Sequence, residues 1–369
     1  MTRRFAIITK AKAPYYKPLY EAVAASQPDG WETLVVWPAE FKGGFPKEHV
    51  TPVRDNLCIS EIKSFVLKIG KKQIFLPSRQ AWKILFDPSL HVILIHELSP
   101  YTLQALIAGK LRRIPVILST EVGKRNAHFF PASVRYWHRY WGKLADGIVA
   151  CSPAAHEPLG GRRIPSVAAY HAMDSRDYVT PAKVLRPDGK VVFAYLGQLI
   201  HRKGLDLFLA AAAALKSRHP SRFLLRFIGG GEDAKLRADI ASHGLEEYCE
   251  LSGFLSGAAI RETLGEADVF VLPTREDTYA AVVHEAACLG LPLLISKYAG
   301  ASEALVENGV NGYVFDPEDC ESFTRHLERF MNADLRQPMA ISSLRIAENH
   351  SAHRRGEAIW SWMTNHGFV

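Results

Sequence analysis

The stretch 267–296 constrains this chain more than any other. Val269-Phe270-Val271-Leu272 is continuously apolar and ends at Pro273, which fits a short buried strand. A polar loop follows, then a helix-forming run over 280–289 that stops at Gly290-Leu291-Pro292, and a second buried strand starts at Leu293. That order predicts a β-loop-α-β unit. Its acidic loop residues, Glu276 and Asp277, stand at the start of a helix whose first N–H groups have no partner within the helix, while Glu285 lies near its middle. The helix end offers positive dipole to an anion, and the carboxylates offer acceptors to hydroxyl groups.

At 369 residues the chain exceeds one ordinary core and suits two domains of roughly 150–200 residues each. A composition of 48% hydrophobic and 22% charged residues is that of a globular protein. Residues 1–10 hold basic side chains but only a short apolar run, so they read as a first strand and not as a signal peptide. No apolar run reaches the length a bilayer-spanning helix needs. Cys58, Cys151, Cys249, Cys288 and Cys320 show neither metal nor redox spacing, which favours a reduced cytoplasm. The net charge of +7 is unevenly spread: 25 Lys and Arg stand against 14 Asp and Glu through Thr180, and 20 against 24 beyond it. A positive first half favours anionic lipid surfaces or phosphorylated acceptors. Nucleic acid is not expected as a partner, because no binding motif for it accompanies the charge.

In the first half, 5–9 and 32–37 read as strands around a helical stretch at 19–25. Ligands of a parallel α/β sheet bind outside the carboxyl ends of its strands, so the loop holding Lys12, Tyr15, Tyr16 and Lys17 is expected to face a cleft. Segment 60–90 interleaves Lys63, Lys68, Lys71, Lys72, Arg79 and Lys83 with Phe65, Ile74, Phe75, Leu76 and Trp82, and is expected to be a solvated helical face. Two further strands, 91–95 and 114–118, end at His96-Glu97 and at Ser119-Thr120-Glu121. Between Lys124 and Lys143, helical spacing puts Trp137 and Trp141 on one face and Arg135 and Arg139 on another. Either that segment is a membrane-interface helix, or the Trp pair is core and the Arg pair solvated. Residues 145–152 are expected to be the last large strand of this half.

The domain boundary is expected within 170–188, where Pro181, Pro187, Asp188 and then Gly189 supply turns. A strand at 191–197, a loop at 198–204 and a helix at 205–217 follow, then a strand at 223–228, Gly229-Gly230-Gly231 and a helix at 234–242. Glycine at successive strand ends lets backbone approach a ligand closely. Segment 351–363 is apolar on one helical face through Ala352, Ile359, Trp360 and Met363.

With its flanks, Pro-Thr-Arg-Glu-Asp at 273–277 and Glu-Ala-Ala-Cys-Leu-Gly-Leu-Pro at 285–292, the Asp277 to Glu285 spacing resembles the acid-x7-Glu signature of retaining glycosyltransferases of the group 1, or family-4, class. The resemblance covers most of 190–330, where Gly300-Ala301-Ser302-Glu303 and Asn308-Gly309-Val310-Asn311-Gly312 also match, and is fainter over 1–180. Asp277 stands where most of the class has Glu, Thr278-Tyr279-Ala280-Ala281 replaces a Gly-rich step, and Gln198 stands where many relatives have Arg. Of an interdomain Asn-Gly-Val-Asp step only Asp174 is kept. The resemblance implies the GT-B fold, two Rossmann-like α/β domains facing a central cleft. Residues 1–178 would bind the acceptor, 179–345 would bind a nucleotide sugar, and 346–369 would cross back to the first domain.

The same resemblance implies roles for single residues. Lys203, with Arg202 second, would meet the charge of the departing diphosphate. Glu285 would hold the ribose hydroxyls, and Asp277 or Glu276 would meet the transferred sugar. Gly197, Gln198, Gly230, Thr278, Tyr279, Ala280 and Ala281 complete the donor side. Tyr15, Tyr16, Lys17, His96 and Glu121 are acceptor-side candidates, and His96 and Glu121 read equally as structural hydrogen-bonders. No metal or other cofactor is expected, since neither Asp-x-Asp nor clustered His occurs, and the departing phosphate itself would help take the acceptor proton.

The implied activity is transfer of a sugar, with retention, from a nucleotide-diphosphate sugar to a lipid-linked or polysaccharide acceptor in cell-surface polysaccharide biosynthesis. It would take place in the cytoplasm, at the inner face of the cytoplasmic membrane. Two other readings share the fold: a GT-B sugar-nucleotide epimerase, which needs no separate acceptor, and an idle GT-B binding protein, which tolerates Gln198 and Asp277 most easily. A nicotinamide-dependent oxidoreductase is disfavoured, because Gly229-Gly230-Gly231 lacks the full Gly-x-Gly-x-x-Gly phosphate loop.

Overall fold

A computed structural model describes residues 2–9, 16–39, 57–69, 72–161, 163–171, 173, 178 and 189–369. The chain divides into two compact units, Met1–Ala172 with Ser351–Val369, and Met173–His350.

The first unit's strands are β1 (Arg3–Thr9), β2 (Trp31–Pro38), β3 (Leu57–Ile62), β4 (Val66–Ile69), β5 (Lys72–Phe75), β6 (Leu90–His96), β7 (Val116–Thr120), β8 (Gly147–Ala150) and β9 (Ser166–Ala168). Seven of them form a parallel sheet in the order β3-β2-β1-β6-β7-β8-β9. Its helices are α1 (Lys17–Ala25), α2 (Arg79–Leu85), α3 (Pro100–Arg112) and α4 (Ala132–Tyr140), with α12 (Ala352–Asn365) added from the chain's end. The apolar run of β1 has no polar alternation because both faces are covered. Phe5 and Ile7 join a core with α1 and α12, while Ala6 and Ile8 join another with Tyr101 and Ala105 of α3.

Helix α12 lies on α1 at close range. A Cβ on Gly356 would come within 2.6 Å of the Ala22 carbonyl oxygen, so only glycine lets the two backbones touch there. The Trp360 indole N–H donates to the Val23 carbonyl at 2.7 Å, and its ring packs edge-on against Phe5. All four apolar positions expected on this helix are buried, and Trp362 joins them.

One expectation needs correction, and one open alternative is decided. Segment 60–90 is mainly extended: β4 and β5 form an antiparallel hairpin, and only α2 is helical. Pro77 and Ser78 explain the late start, since Ser78 caps α2 by accepting from the Gln80 N–H. β8 is the last large strand, as expected, and the three-residue β9 pairs with it at the sheet's edge. Of the two readings of the segment around α4, the core one holds for the Trp pair: Trp137 and the C-cap residue Trp141 pack against the core, and Arg135, Tyr136, Arg139 and Tyr140 are exposed.

The second unit continues with β10 (Val191–Leu196), α5 (Leu205–Arg218), β11 (Phe223–Ile228), α6 (Asp233–Ser242), β12 (Cys249–Gly253), α7 (Ala258–Gly265), β13 (Val269–Leu272), α8 (Val282–Cys288), β14 (Leu293–Ser296), α9 (Ala301–Leu305), β15 (Gly312–Phe315), α10 (Cys320–Arg329) and α11 (Ala333–Asn349). Its six parallel strands run in the order β12-β11-β10-β13-β14-β15. The order changes direction between β10 and β13, so the carboxyl ends of these two strands form the switch point of the sheet.

Candidate active site

The loops after β10 and β13 meet at that switch point. Gly204 is the hinge of the first: its φ is +70°, and a Cβ there would lie 2.1 Å from the Pro273 carbonyl oxygen. The close approach places Lys203, which is buried, against the second loop, and its ammonium group forms an ion pair with the Asp277 carboxylate. Several bonds hold this arrangement. Arg202 donates to the Glu276 carbonyl at 2.6 Å, and the buried Thr274 hydroxyl reaches the carbonyls of Arg202 and Glu276 at 3.1 and 2.9 Å. Arg275 grips both oxygens of Asp206 on α5 at 2.8 and 2.7 Å, a planar fork that Lys could not reproduce.

Asp277 is also fixed by its own backbone. Its N–H donates to the Tyr298 carbonyl at 3.1 Å and its carbonyl accepts from Gly300 at 3.1 Å, while Oδ1 accepts from the Tyr279 N–H at 3.3 Å. Tyr279 is buried. Ala280 then takes φ +71°, a left-handed conformation that glycine adopts more readily than an L side chain. The backbone N–H groups of Ala280, Ala281 and Val282 have no acceptor among the described residues.

Glu285 lies one turn into α8, partly buried, and no hydrogen bond engages its carboxyl group among the described residues. Loss of hydration pushes its pKa up to about 7, against the opposing pull of the Arg261 charge. Next to it, His284 is fully buried: Nδ1 accepts from the Met173 N–H at 3.2 Å, and Nε2 lies 3.1 Å from the Ala347 carbonyl. These two bonds require the neutral ring with its proton on Nε2.

The glycine loops pack as a second layer of the same edge. Gly197, at φ +153°, and Gly229, at φ +146°, leave room for each other, since a Cβ on Gly229 would sit 1.9 Å from the Gly197 carbonyl oxygen. Leu199 donates to the Gly230 carbonyl at 3.0 Å, and the Gln198 carbonyl accepts from the Tyr195 hydroxyl at 2.7 Å while its side chain is exposed. Bare backbone, Lys203 and Asp277 therefore gather at one strand-end edge. Glu276, Thr278 and Ala281 are partly buried at its side.

The acceptor-side candidates belong to the first unit. Tyr15 lies outside the described residues, and Lys17 opens α1. Tyr16 is buried, with its ring edge-on to His96 at 3.9 Å between centroids and tilted to His171 at 5.3 Å. Glu121 pairs with His171. Behind them stands Glu97, at φ +56°, whose carboxylate accepts from the Glu121 N–H at 2.7 Å and the Thr120 hydroxyl at 3.0 Å and lies 3.1 Å from His138 Nε2. Burial would raise the pKa of Glu97. His138, with His96 and the Glu121 N–H, outweighs burial and holds it down to about 2.

Sequence reasoning missed Arg275 with Asp206, His284, Arg261, Glu97, His138 and His171. Arg275 lies inside the signature and Asp206 three residues after Lys203, so their pairing had a positional signal. The others depend on contacts between distant segments.

Comparison with known proteins agrees with this geometry. Residues 179–348 match the family model for glycosyl transferases group 1. The chain is 26% identical over 295 residues to a GDP-mannose-dependent alpha-mannosyltransferase of Mycobacterium tuberculosis, covering 75% of this chain and 73% of that protein. It is 28% identical over 162 residues to a putative colanic acid biosynthesis glycosyltransferase, WcaL, of Salmonella typhimurium, covering 42% of this chain and 39% of the relative. Among solved structures, Anabaena HepE in complex with UDP superposes with a TM-score of 0.72 at 18% identity, over 98% of this chain and 100% of that one. The fold is GT-B, and residues 179–348 of the second unit are similar to the glycosyl transferases of group 1.

Proposed function

We propose that this chain transfers a hexosyl group, with retention, from a nucleotide-diphosphate sugar to a lipid-linked or polysaccharide acceptor. The observation that carries the reading is the strand-end edge of the second unit, where Lys203 and Asp277 pair beside glycine-lined backbone and the Glu285 carboxyl, on the helix that follows, has no hydrogen-bond partner among the described residues. In this reading the donor diphosphate takes the Lys203 ammonium, and the open N–H groups from Ala280 to Val282 share the developing charge without need of a metal ion. Asp277 and Glu276 then turn to the hydroxyls of the transferred sugar. Glu285, near neutrality, both accepts from and donates to the ribose diol. The departing phosphate takes the acceptor proton.

The named activity of the mycobacterial relative makes GDP-mannose the first donor to try. A panel of nucleotide sugars is screened for thermal stabilisation, since a ligand of the folded state raises its apparent stability. Lys203→Ala and Glu285→Ala are each expected to reduce transfer roughly a hundredfold to a thousandfold, equivalent to about 2.7–4 kcal/mol of barrier. Wild-type rates in either variant refute the assignment.

The exposed side of α4 supports a site of action at the cytoplasmic membrane surface. Arg135, Tyr136, Arg139 and Tyr140 line a groove of about 390 Å³ together with Ala127, Ala132 and Leu159. Two cations and two phenol rings suit anionic headgroups, each cation contributing on the order of 1 kcal/mol near such a surface. Among the described residues no helix is long and apolar enough to cross a membrane. Salt-sensitive sedimentation with phosphatidylglycerol vesicles is expected, weakened when Arg135, Arg139 and Lys143 are replaced by Gln. No sedimentation at low salt argues for an acceptor taken from solution.

A further inference from the structure

Helix α8 is too short to hold its own first turn. It runs for seven residues, about two turns, and its N-cap residue Ala281 makes no side-chain bond. Yet that turn carries Glu285, whose carboxyl group is buried without a hydrogen-bond partner among the described residues and is therefore drawn toward water. Contacts from outside the helix have to fix it.

His284 supplies such a contact from the buried side. Its Nδ1 accepts from the Met173 N–H at 3.2 Å, so Nε2 carries the proton and donates to the Ala347 carbonyl at 3.1 Å. Met173 is the first residue of this unit, and Ala347 lies in the last turn of α11, three residues before the unit ends at His350. One ring thus ties α8 to both segments through which the chain enters and leaves the unit. A second tie lies at the far end of α8: the buried Ser343 hydroxyl, one turn before Ala347 on α11, donates to the Leu291 carbonyl at 2.8 Å. Only the His284 tie bears on the turn that holds Glu285. A leucine would fill the same space without the cost of burying an imidazole; what the histidine adds is direction.

We infer that His284 is a positioning residue of the donor site, which fixes Glu285 and the open N–H groups at the start of α8 by tying this helix to Met173 and Ala347. The inference rests on the reading of this edge as a nucleotide-sugar site, and it deepens that reading. The ring is fully buried, so it acts on the ligand only through the helix that carries it.

The test separates positioning from general stability. GDP-mannose, UDP-glucose and the rest of a nucleotide-sugar panel are titrated calorimetrically against wild type, His284→Leu, His284→Gln and Ser343→Ala, with thermal unfolding of all four and with donor KM and kcat for the sugar that is transferred. Leu keeps the bulk and loses both bonds, whereas Gln ends in one acceptor and one donor group and can restore both. Ser343→Ala loses the buried bond at the other end of α8 and controls for loosening of the unit. His284→Leu is expected to weaken donor binding about tenfold, seen in KM with kcat within roughly threefold, and His284→Gln to return to within roughly threefold of wild type. Ser343→Ala is expected to lower Tm and keep donor affinity. Amide exchange gives a readout without ligand: the N–H groups of 283–286 are expected to exchange about tenfold faster in His284→Leu, with β10 unchanged. If His284→Leu does not fold, His284→Asn, which keeps an acceptor for Met173 and loses the bond to Ala347, carries the same expectations. Unchanged donor affinity in the variant overturns the inference. So does an equal loss of affinity in Ser343→Ala, or no recovery in His284→Gln, either of which marks a purely structural role. Failure of every nucleotide sugar to bind wild type refutes the donor reading itself, and the inference falls with it.

Discussion

Replacing Glu285 with Gln should stabilise the protein at alkaline pH while abolishing efficient transfer. The carboxyl has a pKa near 7 when folded against an ordinary value of 4.5, because burial disfavours its charged form. Below pH 4.5 it is protonated whether the chain is folded or not, and adds no pH dependence. As pH rises from 4.5 to about 7, the unfolded chain releases a proton that the folded chain keeps, so stability falls; above that range the loss is complete. The difference amounts to about 3 kcal/mol at one pKa unit per 1.36 kcal/mol. Burying the Gln amide without a partner returns about 1 kcal/mol of this, which leaves about 2 kcal/mol in favour of the variant. For a unit of this size that is roughly 4–8 °C in Tm. Thermal unfolding of both proteins between pH 5 and 8.5 checks the argument. A Tm difference that does not widen with pH through this range refutes a desolvated carboxyl. Arg261→Gln removes the charge that holds the pKa down, so it should move the wild-type midpoint upward.

Three other substitutions test the frame around the site. Ala280→Gly removes a Cβ from φ +71° and should change stability by less than about 1 kcal/mol in the favourable direction, since relieved strain is partly offset by unfolded-state entropy; denaturant titration measures it. Gly204→Ala forces a Cβ to 2.1 Å from the Pro273 oxygen and should destabilise the second unit by more than about 2 kcal/mol, with loss of nucleotide-sugar binding in a thermal-shift assay. Arg275→Lys gives up the fork on Asp206 and should lower stability by about 1 kcal/mol and kcat more than tenfold, whereas Lys in full working order would show that the loop does not depend on it.

Most of the second unit was legible because its strands are short apolar runs closed by glycine or proline. The runs at 191–197, 223–228 and 269–272 fall on β10, β11 and β13 within a residue, and Lys203 and Asp277 come together at the strand ends, with Glu285 on the helix that follows. What the sequence concealed was pairing across distance. The bond from Met173 to His284 joins residues 111 apart, and nothing near His284 distinguishes it from a surface histidine. The segment 60–90 misled for a different reason: its lysines suggest a wet helical face, but β4 and β5 place Lys68 opposite Gln73 on a two-stranded hairpin, where a cation every second or third residue is also tolerated. Trp137 and Trp141 were open between core and interface because helical spacing tells which residues share a face and not what that face meets.

The unfavourable features of this fold are not scattered. Among the described residues, four other than glycine have positive φ: Glu97, Arg113, Ser221 and Ala280. Arg113 ends α3 as a left-handed cap and Ser221 lies in the turn before β11, both ordinary uses of that conformation. Glu97 and Ala280 instead follow the carboxyl ends of β6 and β13, where no cap explains them. Glu285, a carboxyl pushed up by burial with no hydrogen-bond partner among the described residues, stands five residues after Ala280, on the first turn of α8. Strain and desolvation of this kind persist only where the surrounding structure fixes them, and here the surroundings are two fully covered parallel sheets. Each sheet thus holds rigid what its strand ends present: Glu121 in the first unit, and the Lys203–Asp277 pair with Glu285 in the second. Ligand binding should relieve the second set more than the first, because Glu285 has no partner of its own to lose while Glu121 already has His171.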